Sequence, residues 1–125
     1  MNNDSIHLHI KVLVDEVWKD SSKYDENYDF ITSSLLNELN NNPDDIVSLT
    51  NLGAAYCDTG KYKQAEEQLR KAIVLGSNDR NTYFNLGVAI INSASQEEAK
   101  HYFKESNKLS ENELTYNAYI DFQAL

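Results

Sequence analysis

Catalysis and metal binding need titratable side chains that converge, and few residues of this chain are spaced for it. His7-x-His9 is the first candidate. On a strand, residues two apart share a face, and the two imidazoles could hold one metal ion. On a helix the same spacing turns them about 200° apart, and His101 lies on a distant segment, so these read as surface histidines. Cys57, the only cysteine, would need an adjacent base to act as a nucleophile. With no histidine near it, it reads as a small, partly buried apolar residue. The acidic pairs Asp15-Glu16, Asp44-Asp45, Glu66-Glu67 and Glu97-Glu98 do not face one another on a helix, and are expected mostly at helix starts, where they complement the dipole. Gly53, Gly60, Gly76 and Gly87 build no loop that could cradle a phosphate. No catalytic residue, metal or cofactor is expected, and the chain reads as a non-enzyme.

The elements that position the remaining residues repeat. Leu49-Thr50-Asn51-Leu52-Gly53-Ala54-Ala55-Tyr56 and Tyr83-Phe84-Asn85-Leu86-Gly87-Val88-Ala89-Ile90 are near copies, with Gly53 and Gly87 34 residues apart. The same offset links Ala65 to Ala99 and Leu69 to Phe103. Leu49, Leu52, Gly53 and Tyr56 follow the i, i+3, i+4, i+7 rule of an amphipathic helix. Gly60 marks a turn, and a second helix over about 62–75 carries Ala65, Leu69, Ala72 and Ile73 on one stripe. A mid-helix glycine costs about 1 kcal/mol against alanine, so its return at the same register implies two helices crossing closely. Ser95 with Glu98, and Ser110 with Glu113, read as capping boxes, the latter opening a helix to the C-terminus.

Upstream the pattern is worn. Counting 34 residues back from Leu52, Leu69 and Ser77 gives Trp18, Leu35 and Pro43, but Lys19 and Ile31 stand where small residues belong, so this unit must pack differently. Its second helix holds Phe30, Ile31, Leu35, Leu36 and Leu39 in period and ends at Asn40-Asn41-Asn42-Pro43. Residues 6–12 alternate as a strand would, yet Ile6, Ile10, Leu13, Val14, Val17 and Trp18 also form a helical stripe. Nothing downstream offers strands to pair with, so a helix is favoured.

The twin motif resembles the tetratricopeptide repeat, in which a bulky residue, Leu-Gly and Tyr on one helix precede Ala and an aromatic on the next. The second copy departs from the pattern at Ile90, Ala94 and Ser106, and neither copy has the closing proline, Ser77 and Glu111 standing there. The resemblance implies an all-α, right-handed superhelix of antiparallel hairpins, about three units in one domain. The expected units are a degenerate hairpin over 5–43, repeats over 46–79 and 80–113, and a capping helix over 114–125.

Composition narrows the partners. The formal charge is −9, and residues 1–62 alone hold 4 basic and 11 acidic side chains. Such a chain is repelled by phosphate backbones and anionic lipid, so no nucleic acid and no membrane are expected. A basic protein would associate fast with it. The start Met-Asn-Asn-Asp lacks a basic, then apolar, leader, and one cysteine cannot form an internal disulfide; both favour the cytoplasm.

In the family the first helix of each hairpin lines a concave groove. By register the resemblance places there Thr50, Asn51, Ala54 and Asp58, then Asn81, Phe84, Asn85, Val88 and Asn92, then Ala118, Tyr119 and Phe122. Asn51 and Asn85 are equivalent, and paired amides suit the N–H and C=O groups of an extended peptide. Phe84 and Tyr119 would be apolar anchors. A subgroup of the family clamps chaperone C-terminal carboxylates with cations, but Thr50, Ala54, Thr115 and Tyr119 stand where its clamp residues belong, so that role is not expected. The leading expectation is a protein-binding module, monomeric or weakly dimeric, that takes its partner by this groove and by an acidic flank at Asp25, Glu26 and Asp29. It could serve as an inhibitor or immunity protein against a basic toxin. The rivals are a secretion or assembly chaperone for an apolar cargo segment and an oligomerisation element.

Overall fold

The computed structural model describes residues 3–119. Six α-helices follow one another: α1 (Asn3–Lys19), α2 (Tyr24–Asn41), α3 (Ile46–Asp58), α4 (Tyr62–Val74), α5 (Arg80–Ser93) and α6 (Gln96–Ser106). The favoured helix over residues 6–12 is part of α1, and no strand occurs among the described residues.

Antiparallel pairs α3–α4 and α5–α6 stack through α4–α5 and α3–α5 contacts. Between α3 and α4 the turn passes through Gly60 at φ 77°, and after α4 through Gly76 at φ 99°, a left-handed conformation that glycine adopts without strain. The repeated glycines are spacers. A Cβ on Gly53 would overlap the Leu69 side chain, and one on Gly87 would lie 2.7 Å from the Phe103 ring. The two clashes are themselves one repeat apart, since Leu69 and Phe103 are equivalent. α3 is buried on every face from Ser48 to Cys57, because α2, α4, α5 and the chain's C-terminal segment all cover it.

The first hairpin is only half in register. Shifting α4 back by one repeat falls on α2, and Leu35 is buried as Leu69 is. Shifting α3 back gives residues 12–24, whereas α1 ends at Lys19. Trp18 is therefore exposed at the helix end, unlike its counterpart Leu52, which is buried. Lysine in glycine's place forbids the close crossing used by the other pairs. α1 instead buries His7, Ile10 and Val14, and Phe30 and Leu36 of α2 remain exposed.

The expected helix from Ser110 does not form. Residues 110–119 make a turn and then an extended run, and residues 120–125 lie outside those described, as does Phe122. The reason is local and tertiary together. Asn, Thr and Tyr are mediocre helix formers, and side chains of α3 and α5 take up the backbone groups that a helix would have paired internally. At α6, Ser95 does cap, accepting from the Glu98 N–H at 3.4 Å. Glu98 does not reach back; its carboxylate accepts from Arg70 at 2.7 Å.

Candidate functional site

The groove between α1, α3 and α5 contains the chain's own segment 114–119. Asn51 donates from Nδ2 to the Leu114 carbonyl at 2.9 Å and accepts at Oδ1 from the Tyr116 N–H at 3.1 Å. One repeat later, Asn85 donates to the Tyr116 carbonyl at 3.0 Å and accepts from the Ala118 N–H at 2.8 Å. Each amide thus spans one residue pair of the extended chain, as a neighbouring strand would. Both asparagines are fully buried. An extended strap held by two equivalent side chains is the central feature of the molecule.

Further contacts fix its ends. Asp79, the N-cap of α5, accepts from the Asn81 N–H at 3.0 Å and from the Asn112 N–H at 2.9 Å. Its other oxygen accepts from the Thr115 hydroxyl at 2.7 Å. Asn81 donates to Glu111 at 3.0 Å and to Thr115 at 3.1 Å. Lys11 of α1 donates to the Glu113 carbonyl at 2.7 Å. At the far end, Asp58 accepts from the Tyr119 N–H at 2.8 Å and from the Tyr28 hydroxyl at 2.7 Å. Burial pushes the Asp58 carboxyl up to about 6, against the pull of those two bonds. Tyr119 stays half exposed and packs on Trp18, ring centroids 5.1 Å apart. A cavity of about 550 Å³ flanks the strap on its α1 side, lined by Lys11, Val14, Asp15 and Trp18.

His7 is not the surface histidine expected; it is buried behind Asn51. Asn51 Nδ2 lies 3.0 Å from His7 Nδ1, and Ser48 Oγ lies 3.2 Å from Nε2. The amide can only donate there, so Nδ1 accepts and Nε2 carries the hydrogen towards Ser48. Ser48 in turn donates to Asp45 at 2.6 Å. The neighbouring imidazole, with Ser48 and Asn3, holds the Asp45 carboxyl well below the usual range. Serine, histidine and aspartate are together, yet they form no nucleophile. The serine hydroxyl is spent on Asp45, an amide faces Nδ1, and both Ser48 and His7 are fully buried. The cluster orients Asn51.

The other expected groove residues are scattered. Thr50 is buried between α3 and α5, bonded to Thr82 at 2.6 Å. Ala54 and Val88 are buried in the core cluster to which Tyr116 and Ala118 also belong. Phe84 turns towards α6, where it meets Phe103 with centroids 5.3 Å apart and lies under the Arg80 guanidinium at 4.8 Å. Asn92 is exposed and bonds its own helix at Val88. Asp25, Glu26 and Asp29 are exposed on α2. Of the acidic pairs, only Asp44-Asp45 and Glu97-Glu98 stand at helix starts. Cys57 is buried more deeply than expected, and burial pushes its thiol up, away from the reactive thiolate. Among the described residues no cluster could hold a metal, and no helix is long and apolar enough to cross a membrane.

Residues 53–90 match the family model of the TPR repeat, and residues 81–113 match that of the tetratricopeptide repeat. Comparison with curated proteins finds no match. Residues 53–113 therefore belong to the tetratricopeptide-repeat family, whose members are generally non-catalytic scaffolds that bind other proteins.

Proposed function

We propose that the chain is a module for capturing an extended segment of a basic protein, with Asn51 and Asn85 as the backbone clamp. The observation that carries this is the clamp itself, two equivalent amides that take both polar groups of successive residue pairs. Asp25, Glu26 and Asp29 lie exposed on α2, where they would draw in a cationic partner. Blocking a basic toxin, in the manner of an immunity protein, is the physiological role that best fits the acidity and the groove together. The partner is a protein, and the chain acts in the cytoplasm.

Affinity capture from a lysate, at low and high salt, tests this with three proteins. The wild type should retain a basic partner and release it progressively as salt rises, Asn85→Ala should lose it at any salt, and Asp25→Lys/Glu26→Lys/Asp29→Lys should bind it poorly already at low salt. Identical capture by all three would overturn the reading. Retention that ignores salt and charge reversal while depending on Asn85 would point to a chaperone for an apolar cargo segment. A second reading, self-association, is favoured by Leu8 and Val12, exposed one turn apart on α1. Light scattering across concentration decides it, and a strict monomer excludes it.

A further inference from the structure

The clamp touches only backbone, so Asn51 and Asn85 accept any extended chain, and selectivity must come from the side-chain positions of the strap. These alternate. Tyr116 and Ala118 point into the protein and are nearly inaccessible, while Asn117 and Tyr119 point out. Ala118 is buried in the core cluster, where a longer side chain would have to displace its neighbours. Tyr116 enters the core near Tyr28 and Cys57. Its hydroxyl is buried and, among the described residues, has no hydrogen-bond partner. A buried donor left unpaired is unfavourable, whereas a phenylalanine ring would make the same apolar contacts without it.

We propose that residues 114–119 are a built-in stand-in for the partner's segment, and that the partner presents phenylalanine where Tyr116 sits and a small residue two positions later. This rests on the groove being a peptide site. The strap follows α6 after a short turn, so its effective concentration is high, and an imperfect side chain suffices to hold it. A free segment competes only by fitting better, and the pocket around the phenolic oxygen is where a better fit is available. The strap is therefore an intramolecular competitor that filters partners by their side chains.

The chain carries one tryptophan, Trp18, and it packs on Tyr119, so its emission reports whether the strap is docked. Full-length protein is titrated with the peptide Leu-Thr-Phe-Asn-Ala-Gly, with the same peptide carrying Tyr for Phe, and with the Phe peptide carrying Arg for Ala. The Phe peptide should shift the emission at roughly ten-fold lower concentration than the Tyr peptide, and the Arg peptide should fail. Tyr116→Ala should lower the concentration of Phe peptide required, and Tyr116→Phe should raise it. The second change cannot arise from unfolding. Equal potency of the three peptides, with saturation, would overturn the side-chain filter and leave the groove as a peptide site. Failure of every peptide on the wild type and on a Tyr116→Ala protein that keeps its helical circular dichroism would overturn both.

Discussion

Asn51 is held from two sides, and that makes it more than a polar residue in a groove. His7 Nδ1 takes one of its amide hydrogens, which fixes the flip of the side chain and leaves Oδ1 turned to the strap. Asn85 has no histidine behind it among the described residues, and its amide bonds only the strap there. Replacing either asparagine with alanine removes two bonds to buried backbone groups, and a loss of about 1–3 kcal/mol in urea denaturation is expected, with a change in Trp18 emission. Asp58 gives a pH signature of its own. Its folded value, near 6, lies above the ordinary carboxylate range, so between about pH 4 and 6 the folded state binds more protons than the unfolded one. Its contribution to stability therefore grows as pH falls from 7.5 to 5, by on the order of 1–3 kcal/mol, and Asp58→Asn should flatten that slope. Denaturation curves at three pH values check this. The equivalence of Asn51 and Asn85 and their suitability for an extended backbone were legible in the sequence. The burial of His7 was not, because the partners that satisfy it lie 41 and 44 residues away on α3. Tyr116 was missed for the same reason. Asp79, directly before an amphipathic run, carried the signal of an N-cap, but nothing local marked its bonds to Asn112 and Thr115.

The hairpins were legible because each is specified within 34 residues. Helix periods, turn glycines and the spacing of Gly53 from Gly87 all act locally, and close crossing follows from the missing Cβ. Gly53→Ala should cost about 1–3 kcal/mol, since the clash with the branch of Leu69 outweighs the roughly 1 kcal/mol gained in helix propensity. In a Leu69→Ala background, itself destabilised by the lost leucine, Gly53→Ala should cost less because room has been made, and a double-mutant cycle by thermal melting measures the coupling. The departures come at both ends. α1 shifts out of register because Lys19 blocks the crossing, and the segment after Ser110 is extended because its hydrogen bonds are supplied by other helices. A local capping box could not foresee that competition, which is settled between elements.

A solenoid ordinarily consists of units that touch only their neighbours, so it can fray from either end. Here the strap returns from α6 to α1 and α3, through Lys11 to Glu113 and Asn51 to Tyr116. It ties the degenerate first hairpin to the last repeat. One cooperative transition is expected for the wild type. Asp79→Ala removes the turn that aims the strap, and should separate the loss of α1 from the loss of α5 and α6 in native-state hydrogen exchange. Equal protection of all helices in that variant would show that the strap does not couple them.

Because the strap follows α1 to α6 in chain order, synthesis produces the residues of the groove before its occupant. Chains grow at about 5–20 residues per second and fold from the N-terminal side, so for a brief interval Asn51 and Asn85 are made but unfilled. A partner translated nearby would meet an open site, whereas one arriving later must evict the strap. The same protein would then bind newly made neighbours readily and mature strangers selectively.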